Sequence, residues 1–142
     1  MKIKVSIIIT NYNYSRYIER SIKSCVSQNF DKKKFEIIIV DDCSSDDSVK
    51  KIKLLKKKYI SYNIKFEKNK VNLGVAASSN VGILKSRGEY ITRLDSDDYI
   101  SKNFLNFMTF FLDEFKNNLG VCCDYYYVSN SGNKLKKVNY IS

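Results

Sequence analysis

Hydrophobic and polar positions along this chain follow two rhythms, and the switches between them mark its elements. Val5 to Thr10 is a short β-branched run, the mark of a strand buried on both faces. Between Tyr17 and Gln28 the apolar residues Ile18, Ile22, Cys25 and Val26 recur at i, i+4, i+7 and i+8, which predicts an amphipathic helix. Phe35 to Val40 repeats the buried-strand pattern. Ser44 or Ser45 can cap the next helix, with Asp46 and Asp47 in its first turn and Val49, Ile52, Leu55 and Tyr59 along one face. Asn63 to Glu67 reads as a shorter strand. Val75 to Ser86 reads as a helix with Ala77, Val81 and Leu84 inward and Gly88 just past its end. Tyr90 to Leu94 is a fourth strand, Phe104 to Phe115 an aromatic helix, and Gly120 to Val128 a fifth strand. A turn at Asn130 to Asn133 and a polar tail follow.

Strands alternating with helices require right-handed crossovers. The fold class is therefore α/β: a mostly parallel sheet with helices on both faces. No repeat or low-complexity linker interrupts the chain, so residues 1–142 read as one domain.

Composition changes this picture mainly by exclusion. The chain has 142 residues, a net charge of +10 and no histidine, proline or tryptophan. Without histidine there is no imidazole base, no Ser-His-Asp triad and no His-ligated zinc. Five glycines, none in a G-x-x-x-x-G-K or G-x-G-x-x-G setting, leave no glycine-rich phosphate cradle. The apolar runs fall far short of the roughly 20 residues of a membrane span, and the start lacks a signal-peptide pattern. Cys25, Cys43, Cys122 and Cys123 form no C-x-x-C pair, so they read as reduced, mostly buried thiols of a cytoplasmic protein.

The positive charge is concentrated rather than spread. Between Lys50 and Lys70 there are nine lysines and one acid, Glu67. Such a stretch reads first as the solvated face of a helix, with an anionic membrane surface or a charged substrate as the open alternatives. It lacks the arginines and interleaved aromatics that nucleic-acid recognition wants, so no nucleic-acid partner is expected.

Candidate chemistry follows from where the polar residues fall. In open α/β sheets ligands bind outside the carboxyl ends of the strands. Three polar clusters take that position: Thr10-Asn11-Tyr12-Asn13, Asp41-Asp42 and Asp95-Ser96-Asp97-Asp98. Five carboxylates on one edge of a basic protein repel one another, and a bound cation is their natural partner. All-oxygen ligands select Mg²⁺ or Mn²⁺ over zinc. A cation so held can bind a diphosphate without a glycine-rich loop. Tyr12 can stack on a base, Asp42 can accept from a base N–H, and an aspartate of the 95–98 group can accept from a ribose hydroxyl. Helix caps and turns are the competing use for each of these aspartates. Arg93, just before the last cluster, can pair with Asp95 or contact a diphosphate.

Four ordered motifs span residues 3 to about 100: V-S-I-I-I-T-N-Y-N, F-E-I-I-I-V-D-D-C-S-S-D, N-L-G-V-A-A-S-S-N-V-G-I and G-E-Y-I-T-R-L-D-S-D-D. Together they resemble the family 2 glycosyltransferases of the GT-A fold, and Asp124-Tyr125-Tyr126 resembles the strand after the family's D-x-D region. The resemblance implies a Rossmann-like nucleotide-binding half. In it Thr10 and Tyr12 line the base pocket, Asp42 binds the base, Asp41 shapes the same loop and Asn72 joins the nucleotide site. Asp95, Asp97 and Asp98 correspond to the segment that binds ribose and metal, with Asp97 and Asp98 the catalytic pair. Ser79 stands where the family often has a basic residue.

The implied reaction is metal-dependent, inverting transfer of a sugar from a nucleotide-diphosphate donor, UDP-linked by expectation, with Mn²⁺ or Mg²⁺. The acceptor is a glycan or a lipid-linked acceptor of cell-surface polysaccharide, handled in the cytoplasm or peripherally at the inner face of the membrane. Asp124 is the stand-in for the general base. Family catalytic domains continue past this length, so the expectation is a donor half without most of the acceptor half. A sugar-nucleotide-binding module without turnover is the alternative.

Overall fold

The computed structural model describes residues 2–115, 117 and 120–139. It falls into two compact units, Met1–Asn106 and Phe107–Ser142.

The first unit is a four-stranded parallel sheet. Its strands are β1 (Val5–Asn11), β2 (Phe35–Asp41), β3 (Ile64–Lys68) and β4 (Tyr90–Asp95), in the order β3-β2-β1-β4. The two central strands are buried along their whole length, as expected of strands covered on both faces. On one face Ile7, Ile9, Ile37 and Ile39 meet Ile18 and Ile22 of α1 (Ile18–Val26) and Ile52 and Leu55 of α2 (Ser48–Lys58). Alternate strand residues such as Ile8 point to the opposite face, covered by α3 (Val75–Lys85).

Helix α3 sits differently from the apolar pattern's expectation. Ser78 and Gly82 face inward and are buried, whereas Leu84 is 84% exposed and Ala77 and Val81 are half-buried. Close approach is the reason. A Cβ at position 82 would lie 2.4 Å from Ile8 Cγ2, so the small residues let the helix settle against the sheet. Gly88 likewise owes its place to crowding rather than to a left-handed helix end: a Cβ there would stand 2.5 Å from the Ser6 amide nitrogen. Helix α2 starts at Ser48, not beside Ser44 or Ser45, and Asp46 Oδ1 accepts the Ser48 N–H at 2.9 Å.

The amino edge of this sheet is pinned by one buried acid. Glu36, fully buried at the start of β2, accepts from Ser6 Oγ (2.8 Å) and the Arg87 N–H (2.7 Å) through Oε1. Its Oε2 faces Lys65 Nζ (3.0 Å), Arg87 Nη2 (3.1 Å) and Asn63 Nδ2 (3.3 Å). All three neighbouring stretches are thereby tied to β2.

Helix α4 (Phe104–Glu114) carries the chain into the second unit, whose regular part is a hairpin of β5 (Tyr125–Val128) and β6 (Lys134–Val138). The turn expected at Asn130 to Asn133 is present: Ser129 N–H donates to Asn133 O and Gly132 N–H to Ser129 O. Three expectations fail. Residues 120–124 carry no strand structure, half of the expected polar tail is β6 while 140–142 lie outside the described residues, and Cys122 and Cys123 are exposed rather than buried. Lys134 lies 4.3 Å from the Tyr126 ring centre, a cation–π contact in a hairpin without apolar alternation.

Candidate functional site

At the carboxyl edge of the four-stranded sheet lies a cleft of about 460 Å³, within the range of small-molecule sites. The loops after β1, β2 and β4 and the start of α3 line it.

Its first wall is a lattice of side chains joining the loops after β1 and β2. Asp41, fully buried, accepts from Asn11 Nδ2 at 2.8 Å and from the Ser44 N–H at 3.0 Å. Ser44 Oγ accepts in turn from Asn11 Nδ2 and from the Asn13 N–H. Asn13, in the left-handed region at φ 57°, accepts the Ser45 N–H through its side chain. This bracing presents Tyr12 to the cleft with its ring 46% exposed.

Asp42 forms the floor. Only 4% exposed, it accepts from Asn69 Nδ2, the Leu73 N–H and the Gly74 N–H, each at 2.8 Å. Burial alone would raise its carboxyl, but Asn69, the two backbone amides and Ser78 outweigh that and hold it below the usual range. Much of its accepting capacity thus fixes the Leu73–Gly74 turn, where Gly74 takes φ 83° and Asn72 Oδ1 also accepts the Gly74 N–H.

The third wall is the Asp95–Asp98 turn, closed by the Asp98 N–H on Asp95 O at 3.0 Å. Asp95 accepts from Thr10 Oγ1 at 3.3 Å and pairs with Arg93, one of the two partners the sequence allowed for that arginine. Asp95, Asp97 and Asp98 share this turn, and among the described residues no group of three or more acids or thiols is arranged to hold a metal by itself. Thr10 and Arg93 both fall on Asp95 Oδ1. Asp98, though exposed, is pushed above the usual carboxylate range by desolvation and by the charges of Asp97 and Asp95, against the pull of Arg20 and Arg93. Excess negative charge therefore remains at Asp97 and Asp98. Hard cations that keep one or two protein carboxylates and take their other ligands from phosphates fit such a pair.

Arg20 and Asn69 lie outside the motifs, and Arg20 is the more consequential. It projects from α1, donates from Nη2 to Asp97 O at 2.8 Å, and lies between the Tyr17 and Tyr99 rings, 5.6 and 5.0 Å from their centres. The guanidinium thus sets the backbone of the acidic turn. Asp124 belongs to the second unit, where it pairs with Lys137 at 2.8 Å, whereas every residue lining the cleft comes from the first.

Comparison with known proteins agrees with this architecture. The profile described as Glycosyl transferase family 2 matches residues 6–141. The poly(ribitol-phosphate) beta-N-acetylglucosaminyltransferase TarS of Staphylococcus aureus is 35% identical over 112 residues, 78% of this chain and 19% of that protein. Chondroitin synthase of Escherichia coli is 35% identical over 122 residues, 85% of this chain and 16% of that one. Among solved structures, S. aureus TarS 1-349 in complex with UDP-GlcNAc superposes with a TM-score of 0.74 at 34% identity, covering 80% of this chain and 32% of that one. A mannosyltransferase from Pyrobaculum calidifontis in complex with GDP-Man and Mn²⁺ shares the fold at a TM-score of 0.75 and 19% identity, covering 79% of this chain and 33% of that one. The chain thus spans about a fifth of these curated relatives and a third of the solved chains. With its parallel sheet, carboxyl-edge cleft and matched profile, this chain belongs to glycosyl transferase family 2, with the GT-A fold.

Proposed function

We propose that the cleft binds a nucleotide-diphosphate sugar, UDP-linked, and that the reaction is metal-dependent, inverting transfer of the sugar to a hydroxyl of a glycan or lipid-linked acceptor. The observation that carries this reading is the pairing, in one cleft, of an exposed aromatic residue, Tyr12, with the Asp97 carboxylate, whose chain neighbour Asp98 is crowded by the charges of Asp97 and Asp95. A base and a cation-bound diphosphate need those two features at opposite ends of one site. The UDP-GlcNAc complex of TarS supports the donor part of this assignment.

Each residue then has a task. Tyr12 stacks on the base. Asp42 faces the base from the floor and, through Leu73 and Gly74, keeps the wall beside Asn72 in place. Asp95, oriented by Thr10 and Arg93, accepts from a ribose hydroxyl. Asp97 and Asp98 hold Mn²⁺ or Mg²⁺, which when bound neutralises the charge of the departing diphosphate. The acceptor oxygen bonds to the anomeric carbon as the bond to the diphosphate oxygen breaks on the opposite face, and a carboxylate takes the hydroxyl proton. Its setting is the cytoplasm.

Calorimetric titration of the chain with UDP tests the donor site. Saturable binding is expected with Mn²⁺ present and strong weakening with chelator; no binding in either condition by the folded chain rejects the proposal. Every carboxylate lining the cleft, Asp42, Asp95 and Asp97, is assigned to the donor, which favours a second reading, a donor-binding module without turnover. That reading expects the same titration with no sugar transfer and no donor hydrolysis.

Arg20 supplies a separate check. Arg20→Gln removes the planar group that holds Asp97 O and is expected to weaken Mn²⁺-dependent UDP binding by about tenfold, the worth of one charge-assisted hydrogen bond. Arg20→Lys restores the charge but not the stacking between Tyr17 and Tyr99, so it should recover only part of the loss. Equal binding by wild type and Arg20→Gln in the same titration rules out this positioning role.

A further inference from the structure

Helix α2 carries far more charge than its own packing uses. It buries Ser48, Ile52 and Leu55, and contains six lysines and no acid. Lys51 turns back to donate to Ser15 O at 2.7 Å, and Lys58 lies near the Tyr59 ring. Lys50, Lys53, Lys56 and Lys57 are exposed, and no described acid forms an ion pair with any of them.

Their arrangement matters more than their number. Lys50, Lys53, Leu54 and Lys57 stand at i, i+3, i+4 and i+7, so they form one ridge along the side opposite Ile52 and Leu55. Leu54, in the middle of that ridge, is 58% exposed, and Ile60, in the turn just beyond, is 86% exposed. Like charges at these spacings weaken a free helix. Leucine and isoleucine among them gain nothing from water.

We infer that this ridge is a docking surface for an anionic lipid bilayer, with the lysines against the headgroups and Leu54 and Ile60 entering the acyl boundary. A surface of that kind satisfies both features at once, whereas a soluble anionic polymer satisfies only the lysines. Nucleic acid is disfavoured by the absence of arginine and aromatic residues on the ridge. None of the residues lining the cleft comes from α2, so a chain lying on this helix keeps its cleft open. The inference does not depend on what the cleft binds.

Co-sedimentation of the chain with vesicles tests it. Binding is expected to vesicles of phosphatidylcholine mixed with phosphatidylglycerol at low ionic strength, not to phosphatidylcholine alone, and it should fall as salt rises. Replacing Lys50, Lys53 and Lys57 together by glutamine should lower partitioning by about 100-fold, since each lysine near such a surface is worth about fivefold. Leu54→Ser with Ile60→Ser keeps every charge and should lower it several-fold. Far-UV circular dichroism and urea melts of both variants, unchanged from wild type, show that they remain folded. Two results overturn the inference: no binding to the mixed vesicles, or binding that the Leu54→Ser, Ile60→Ser variant retains in full and soluble polyphosphate abolishes. The second would reassign the ridge to a soluble anionic polymer.

Discussion

Asp98→Asn is expected to abolish useful Mn²⁺-dependent UDP binding while leaving the fold as stable as before, or slightly more so. The loss should be at least about 100-fold, or roughly 3 kcal/mol, because the cation keeps so few protein ligands that removing one forfeits several kcal/mol of charge stabilisation. The stability half of the expectation comes from repulsion. Desolvation and the charges of Asp97 and Asp95 hold the Asp98 carboxyl above its usual range, so ionised Asp98 is less favourable in the folded chain than in the unfolded one. Neutral asparagine removes that penalty at pH 7. Calorimetric titration with UDP and Mn²⁺, paired with urea melts of the metal-free chain, reads both effects. A variant that binds normally sinks the assignment of Asp98, and one that loses binding only because it unfolds shows a structural role instead.

What was legible in the sequence is what local pattern controls. β1 and β2 announced themselves because strands covered on both faces must be apolar throughout, and the polar residues following them had to converge on one edge. The inward face of α3 was not legible, since Ser78 and Gly82 earn burial by small size and by the Asn69 hydrogen bond rather than by hydrophobicity. Nor did β6 show itself in K-L-K-K-V, where every residue but the last is exposed and no apolar face is buried. At the site, spacing located the acidic turn but not its supports. Arg20 and Asp97 are 77 residues apart, and nothing in the neighbourhood of either names the other. Nor does spacing show that Thr10, 85 residues away in the chain, donates to Asp95.

The largest expected loss of stability comes from the other end of the sheet. Glu36→Gln keeps the size of the side chain but puts an amide –NH₂ where one carboxylate oxygen stood. On the Oε1 side that group meets the Arg87 N–H and Ser6 Oγ, and on the Oε2 side it meets Lys65, the Arg87 guanidinium and the Asn63 amide. Apart from the Ser6 hydroxyl and the Asn63 amide, which can turn to accept, every neighbour is an N–H donor, so neither orientation of the glutamine amide is fully satisfied. Removing one partner of a fully buried pair costs about 3–5 kcal/mol. Lys65 and Arg87 are 30% and 59% exposed and can turn to water, so the expected loss is nearer 3 kcal/mol at pH 7, or about 10 °C in Tm. The pH dependence follows with a definite sign. Burial pushes the Glu36 carboxyl up, but Lys65, Ser6 and Arg87 outweigh it and hold it below its ordinary value. Its contribution is therefore fully present above the unfolded-state pKa of about 4.3 and is lost as pH falls through the folded value. Urea melts at neutral and acid pH should show the gap between wild type and Glu36→Gln closing on acidification. A gap that stays constant with pH would mean that the carboxylate's charge plays no part in pinning the amino edge of the sheet.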